Sequence, residues 1–226
     1  MRTAFFVPNL VGATLGDRLA ACVGAALGIA ATALLTALVL GDGIAAVLLA
    51  APMGAAAVLV FAVPASPLAQ PWSVIGGNVV SALVGVAVAA VVPSPAIACG
   101  LAVGGAILAM SLLRCLHPPG GAAALTAVIG GPSVAAAGWL FPIIPVGLNA
   151  VILTVAAMVF HRFSQHSYPH HAPAPAVAAP DAPLPHPEDL DAALAELGET
   201  FDITREDLDR LFESVRAHAN RRKQQR

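Results

Sequence analysis

Charge is what this chain lacks. Between Arg18 and His161 the only ionised side chains are Asp42 and Arg114, and a soluble domain needs far more charged surface than that around its core. A water-exposed globule is excluded for this stretch. Aromatic residues make up only 5% of the sequence, and no basic stripe interleaves with them, which removes nucleic acid from the partners. Cys22, Cys99 and Cys115 are odd in number and far apart, so they are expected to be buried thiols and not a disulfide framework or a metal site. A cleaved leader is not expected either, because the first apolar run carries one Arg and is broken by Pro8 and Asn9.

What is present is Ala, Val, Leu and Gly. The sequence is 58% hydrophobic with mean hydropathy +0.82, and small residues allow close approach of helices in a bilayer. The chain reads as integral to a membrane. Its formal net charge of −2 says little about partners, because the charges gather in the tail after Pro187.

A spanning helix needs about 20 apolar residues. Residues 19–40 meet this, and Gly41-Asp42-Gly43 then supplies a tight turn, with Asp42 at the surface. Residues 44–63, 73–92 and 96–113 are the next spans, with Pro93-Ser94-Pro95 reversing the chain between the last two. The segment 118–131 offers only about 14 residues, or about 21 Å of helix, so it is either a re-entrant half-helix or a short crossing. Residues 141–160 form the last span.

Arg2 and Arg18 precede the first span, Arg114 follows the fourth, and Arg162 follows the last. If cations mark the cytoplasmic side, both termini lie inside only when 118–131 crosses. Six crossings are favoured on that ground. The fold class is therefore all-α: a polytopic transmembrane helix bundle of five or six spans with Pro/Gly-broken helices, plus a short helical soluble tail. Residues 1–18 form an interfacial lead-in, 19–162 the membrane domain, 163–187 a Pro/Ala-rich linker and 188–226 a helical cytoplasmic tail. The linker favours extended polyproline II, and its histidines, His166 among them, are expected to be solvated. In the tail, Leu190, Leu194 and Leu197 share one helix face ending at Gly198, and a second helix capped by Thr204 presents Leu208, Leu211, Phe212 and Val215.

Two breaks interrupt the apolar region, Pro64 to Trp72 and His117-Pro-Pro-Gly-Gly121. Irregular backbone in lipid survives only inside protein or against a water-filled cavity, so such breaks point to handling of a polar solute. Each places proline shortly before a glycine pair, Gly76-Gly77 and Gly120-Gly121, and each starts a helix. Helix N-termini attract anions, and two converging ones carry together about one positive charge. The expected binding set is Ser73, Gly76, Gly77, Asn78, Gly120, Gly121 and Thr126, with Arg114 and His117 attracting anions at the entrance. Taken singly each has a plainer reading, since Ser, Thr and Asn often bond their own helix and Gly often only packs. Trp72 and Trp139 read as interfacial anchors.

These residues carry a resemblance. Leu116-His-Pro-Pro-Gly-Gly-Ala122, with Ser66-Pro-Leu-Ala-Gln-Pro-Trp72 and Val74-Ile-Gly-Gly-Asn78 upstream, resembles the HPP family of integral membrane proteins over about residues 15–162. The resemblance implies a helical membrane domain and nitrite transport activity, described for plastid and cyanobacterial members. Its motif residues map here to Ser66, Pro67, Gln70 and Pro71 in the first break, and to His117, Pro118, Pro119, Gly120 and Gly121 in the second. Many bacterial members continue into adenine-nucleotide-binding CBS modules, and this chain stops at Arg226, where they would begin.

The expectation is a channel or transporter for a small inorganic monovalent anion, nitrite first, with no cofactor and no covalent chemistry. It would sit in a bacterial inner membrane and associate as a homo-oligomer. The alternative is a membrane-anchored regulatory or scaffolding subunit that acts through its helical tail.

Overall fold

A computed structural model describes residues 14–41, 51–164, 166–171, 187–197, 201–203 and 205–224. Predicted features at Asp42, Gly198 and Thr204 lie outside these, as do the first thirteen residues of the expected lead-in. Helix α1 spans Leu15–Leu40, and α2 spans Ala51–Ala62 inside the predicted second span. A short turn at Pro67–Ala69 leads into α3, Pro71–Val91, and then come α4, Pro95–Leu112, and α5, Pro119–Ile129. The short α6, Pro132–Ala137, and an irregular passage through Pro142–Gly147 precede α7, Leu148–His161. The tail holds α8, Pro187–Leu197, and α9, Arg205–Gln224. The described residues hold no strand.

Helix α1 starts at Leu15, earlier than the predicted 19. The Asp17 carboxylate accepts from the Thr14 N–H at 2.8 Å and Thr14 Oγ1 accepts from the Asp17 N–H at 3.2 Å, so a reciprocal cap fixes the start. Arg18 then reaches across to donate to the Ala62 carbonyl at 3.1 Å, which satisfies an orphan group at the end of α2. Helices α3, α4, α5 and α6 each begin with proline in the first turn, where its missing N–H costs nothing.

Helices α1, α2 and α7 pack through glycine. A Cβ on Gly28 would stand 2.6 Å from the Phe61 ring, and one on Gly24 would stand 2.9 Å from the Phe160 ring. The two rings meet edge to face with centroids 5.4 Å apart. The His161 Nε2–H donates to the Val60 carbonyl at 2.9 Å, and Thr36 Oγ1 donates to Asn149 Oδ1 deep between α1 and α7. Cys22 is exposed on the outer side of α1 and Cys99 is half-buried, which corrects the expectation of three buried thiols; only Cys115 is buried. In a bilayer the outward face is as apolar as the core, so hydropathy does not separate the two.

Helices α3 and α5 run parallel from the same end. Gly77 lies against Cys115 and His117, and two turns further on Gly85 lies against Ala124 and Ala127. At Gly130 and Gly131 the chain bends by 90° into Pro132–Leu140, so the predicted 118–131 segment is a short helix with a perpendicular continuation. Gly131 makes the bend at φ +81°, a region that glycine enters without strain. Four stretches are long and apolar enough to cross a membrane: Leu15–Leu40, Pro71–Val91, Pro95–Leu112 and Pro142–His161. The bent pair would make a fifth.

Candidate functional site

The first break is held by its own polar side chains. Ser66 Oγ accepts from the Leu68 N–H at 3.3 Å and caps the Pro67–Ala69 turn. Gln70 Nε2 donates to the carbonyls of Pro64 and Ser66, each at 2.9 Å, and Ser73 Oγ donates to the Pro67 carbonyl at 2.9 Å. Ser66, Gln70 and Ser73 thus satisfy the backbone groups of Pro64, Ser66, Pro67 and Leu68 that the break leaves without helical partners.

The second break folds onto the first. Trp72 Nε1 donates to the Leu113 carbonyl at 3.1 Å, and His117 Nδ1 lies 2.8 Å from the Leu68 carbonyl. A carbonyl only accepts, so Nδ1 carries the hydrogen and Nε2 of the neutral ring keeps its lone pair. Arg114 makes the sharp corner between α4 and this segment at φ +54°. The Cys115 N–H closes the corner on the Met110 carbonyl at 2.9 Å.

The structure brings Ser73 and Arg114 together. They line one cleft of about 360 Å³ with Pro67, Leu68, Ser111 and Leu116, open beside the His117–Leu68 bond. Gly76, Gly77 and Gly120 do not line it: their open faces are filled by Trp72 and Cys115, by His117 and Cys115, and by Ser81 and Met110 respectively. Gly121 has only Val103 near, at 4.0 Å. The N–H groups of Gly120 and Gly121 donate to the His117 and Pro118 carbonyls, at 2.8 and 3.0 Å, because Pro118 already has helical angles and begins the turn early. Thr126 Oγ1 and Asn78 Nδ2 donate within their own helices, to Ala122 and Val74, both at 2.8 Å. The glycines therefore set helix contact, and the polar mouth is made by Ser73 and Arg114.

Two residues outside the expected set belong to this region. Ser81 sits one turn beyond Gly77 on α3, fully buried, with its hydroxyl 2.5 Å from where a Cβ on Gly120 would be. Nothing in the Val-rich sequence around it marks that face as internal. Tyr168, the only tyrosine, donates its hydroxyl to the Ala69 carbonyl at 2.8 Å, and burial pushes that hydroxyl far above its ordinary range, so it stays a donor. The His170 N–H donates to Gln70 Oε1 at 2.9 Å and His166 lies 4.0 Å from Asp17. This corrects the expectation of solvated linker histidines for His166 and His170, which are half-buried, while His171 is exposed as expected. A cavity of about 540 Å³ between α1 and α7 is lined by Leu27, Leu35, Val155 and Phe163 among other apolar residues and offers a solute almost no polar surface.

Long apolar helices tied together at two proline breaks define a polytopic helical membrane protein. The family model described as HPP, transmembrane region, matches residues 11–169, and the chain belongs to this family. Two transmembrane proteins of Dictyostelium discoideum are 42% and 37% identical to it over 120 residues. Each match covers 51% of this chain but only 42% and 38% of the relatives, so the chain spans less than half the length of those proteins. No solved structure gives a significant match.

Proposed function

We propose that the protein passes a small inorganic monovalent anion across the bilayer, with nitrite the leading candidate because of what the HPP resemblance implies. The observation that carries this reading is the cleft shared by Arg114 and Ser73, which opens beside buried His117 at the junction of two parallel proline-started helices. A guanidinium at the mouth concentrates anions, and the first-turn N–H groups of α3 add a positive end there. No covalent step is needed. Arg18, Arg114 and Arg162 all fall at the end where the breaks meet, which supports placing that end, with both termini, in the cytoplasm of a bacterial inner membrane. Gly100 and Gly104 on α4 have open space over them, which suits close approach of a helix from a second copy.

The test is nitrite uptake by the purified chain in proteoliposomes. Uptake well above that of protein-free vesicles is expected, with Arg114→Gln raising KM several-fold. Uptake equal to that of protein-free vesicles overturns the reading.

A further inference from the structure

The tail carries an apolar face that its own chain leaves open. On α9, Leu208, Leu211, Phe212 and Val215 fall within about 100° of arc and make one stripe two turns long. Helix α8 is tied to the start of α9 by the Arg205–Asp191 pair, yet Leu211 and Val215 remain 56% and 58% exposed. Half of the twenty residues of α9 are charged, so hydrocarbon does not cover this stripe as it covers the outer leucines of α1 and α4. A bilayer surface fits no better. Asp207, Asp209 and Glu213 lie among the stripe residues, and an anionic leaflet repels them.

The charges of α9 are divided by half. Its carboxylates all precede Val215, whereas Arg216, Arg221 and Arg222 follow it with no carboxylate among them. Such a helix complements itself when reversed. Pairing two copies about the midpoint between Leu211 and Phe212 sets Leu211 opposite Phe212 and Leu208 opposite Val215, apolar against apolar along the whole stripe. Asp209 and Arg216 project to the same side of the stripe, and the same two-fold brings Arg216 of each copy to within about 3 Å, measured along the axis, of the level of Asp209 in the other. The electrostatics there ask for a cation. Within one chain Asp191 and Asp209 both pair with the single guanidinium of Arg205, which leaves one negative charge in excess. A parallel pair would instead set acidic half against acidic half and basic against basic.

We infer that α9 binds α9 of a second copy, antiparallel, through Leu208, Leu211, Phe212 and Val215, with Asp209 of each copy against Arg216 of the other. The surface lies outside the membrane domain and is separate from the open face of α4. It does not depend on which solute the protein carries. A two-fold contact closes at two copies, and a shared bilayer raises the effective concentration of the tails, so a stripe of four residues suffices.

Sedimentation of the full chain in a neutral detergent at low salt tests this. The unaltered chain should run as a dimer that dissociates on dilution, and salt at about 0.5 M should weaken it several-fold by screening the flanking charges. Leu211→Glu alters an exposed position and should raise the dissociation constant about tenfold or more, because the dimer loses that contact twice. Asp209→Arg alone and Arg216→Asp alone should each weaken the dimer. Mixed in equal amounts, the two variants should pair with one another, since each contact then holds one cation and one carboxylate. That rescue also excludes misfolding as the cause of the single losses. An unaltered chain that stays monomeric overturns the inference. So does a dimer that survives Leu211→Glu and both charge swaps, which would place association in the membrane helices. Single variants that weaken and fail to pair when mixed overturn the antiparallel register.

Discussion

Gly77 and His117 are in backbone-limited contact: a Cβ on Gly77 would lie 2.6 Å from the His117 Cβ and 2.7 Å from the Cys115 carbonyl oxygen. Neither neighbour can swing away, since one is fixed to the backbone and the other is backbone. Gly77→Ala should therefore force the second break off α3, at a cost of about 3 kcal/mol or more. At Gly120 the nearest atoms are the Ser81 hydroxyl and the Met110 sulfur, both side-chain ends, so Gly120→Ala should cost less. Gly54 has nothing within 4 Å, and Gly54→Ala should leave stability unchanged or raise it. Melting temperatures in detergent check the ranking, and equal values for the three variants would remove the packing argument.

Tyr168 pins the segment after α7 to the first break through a single hydroxyl. Tyr168→Phe keeps the ring and removes the bond to the Ala69 carbonyl, so it should cost about 1–2 kcal/mol. The loss should be local. Hydrogen exchange should speed up across residues 66–72 and 166–171 while α1 is unaffected; unchanged exchange at the break would show that the His170–Gln70 bond and packing hold the strap without the Tyr168 hydroxyl.

Legibility followed the range of the physics. Pro71, Pro95 and Gly41 mark helix ends by local sterics, and the predicted spans at 73–92 and 96–113 fall within two residues of the observed ones. The two breaks could be read for the same reason. Which face of a helix turns inward could not be: Cys22 points outward while Ser81 and Asn78 point inward, and all three sit in equally apolar runs. Docking of Tyr168 on Ala69 joins residues 99 apart in sequence, and no local rule encodes that. The end of α5 was legible, since the expected segment stops at residue 131, but the 90° bend there was not: Val134, beyond the segment, fills the space beside Gly130.

Thr36 and Asn149 join α1 to α7 with a hydrogen bond buried on all sides. In hydrocarbon such a bond contributes about 0.6–2 kcal/mol, because the separated helices also find partners. Thr36→Val preserves shape and removes the donor. It should lower the melting temperature modestly, whereas Thr32→Val, whose hydroxyl bonds only to Gly28 on its own helix at 2.7 Å, should have a smaller effect. Equal losses in the two variants would mean that the bond between helices adds nothing.

Arg114 holds a left-handed backbone at φ +54°, the one described non-glycine residue with positive φ. Such a conformation costs an ordinary side chain about 1–3 kcal/mol and persists where the surroundings impose it. Here the corner lets the Cys115 N–H reach the Met110 carbonyl and places the guanidinium in the cleft with Ser73. Arg114→Gly relieves the strain but removes the cation, so stability should stay level or rise while nitrite capture falls. Arg114→Lys restores the charge without the strain relief and should recover most of the capture at low salt, with the benefit fading as salt screens it. If Arg114→Gly lowered stability with uptake intact, the residue would be serving the fold and not the solute.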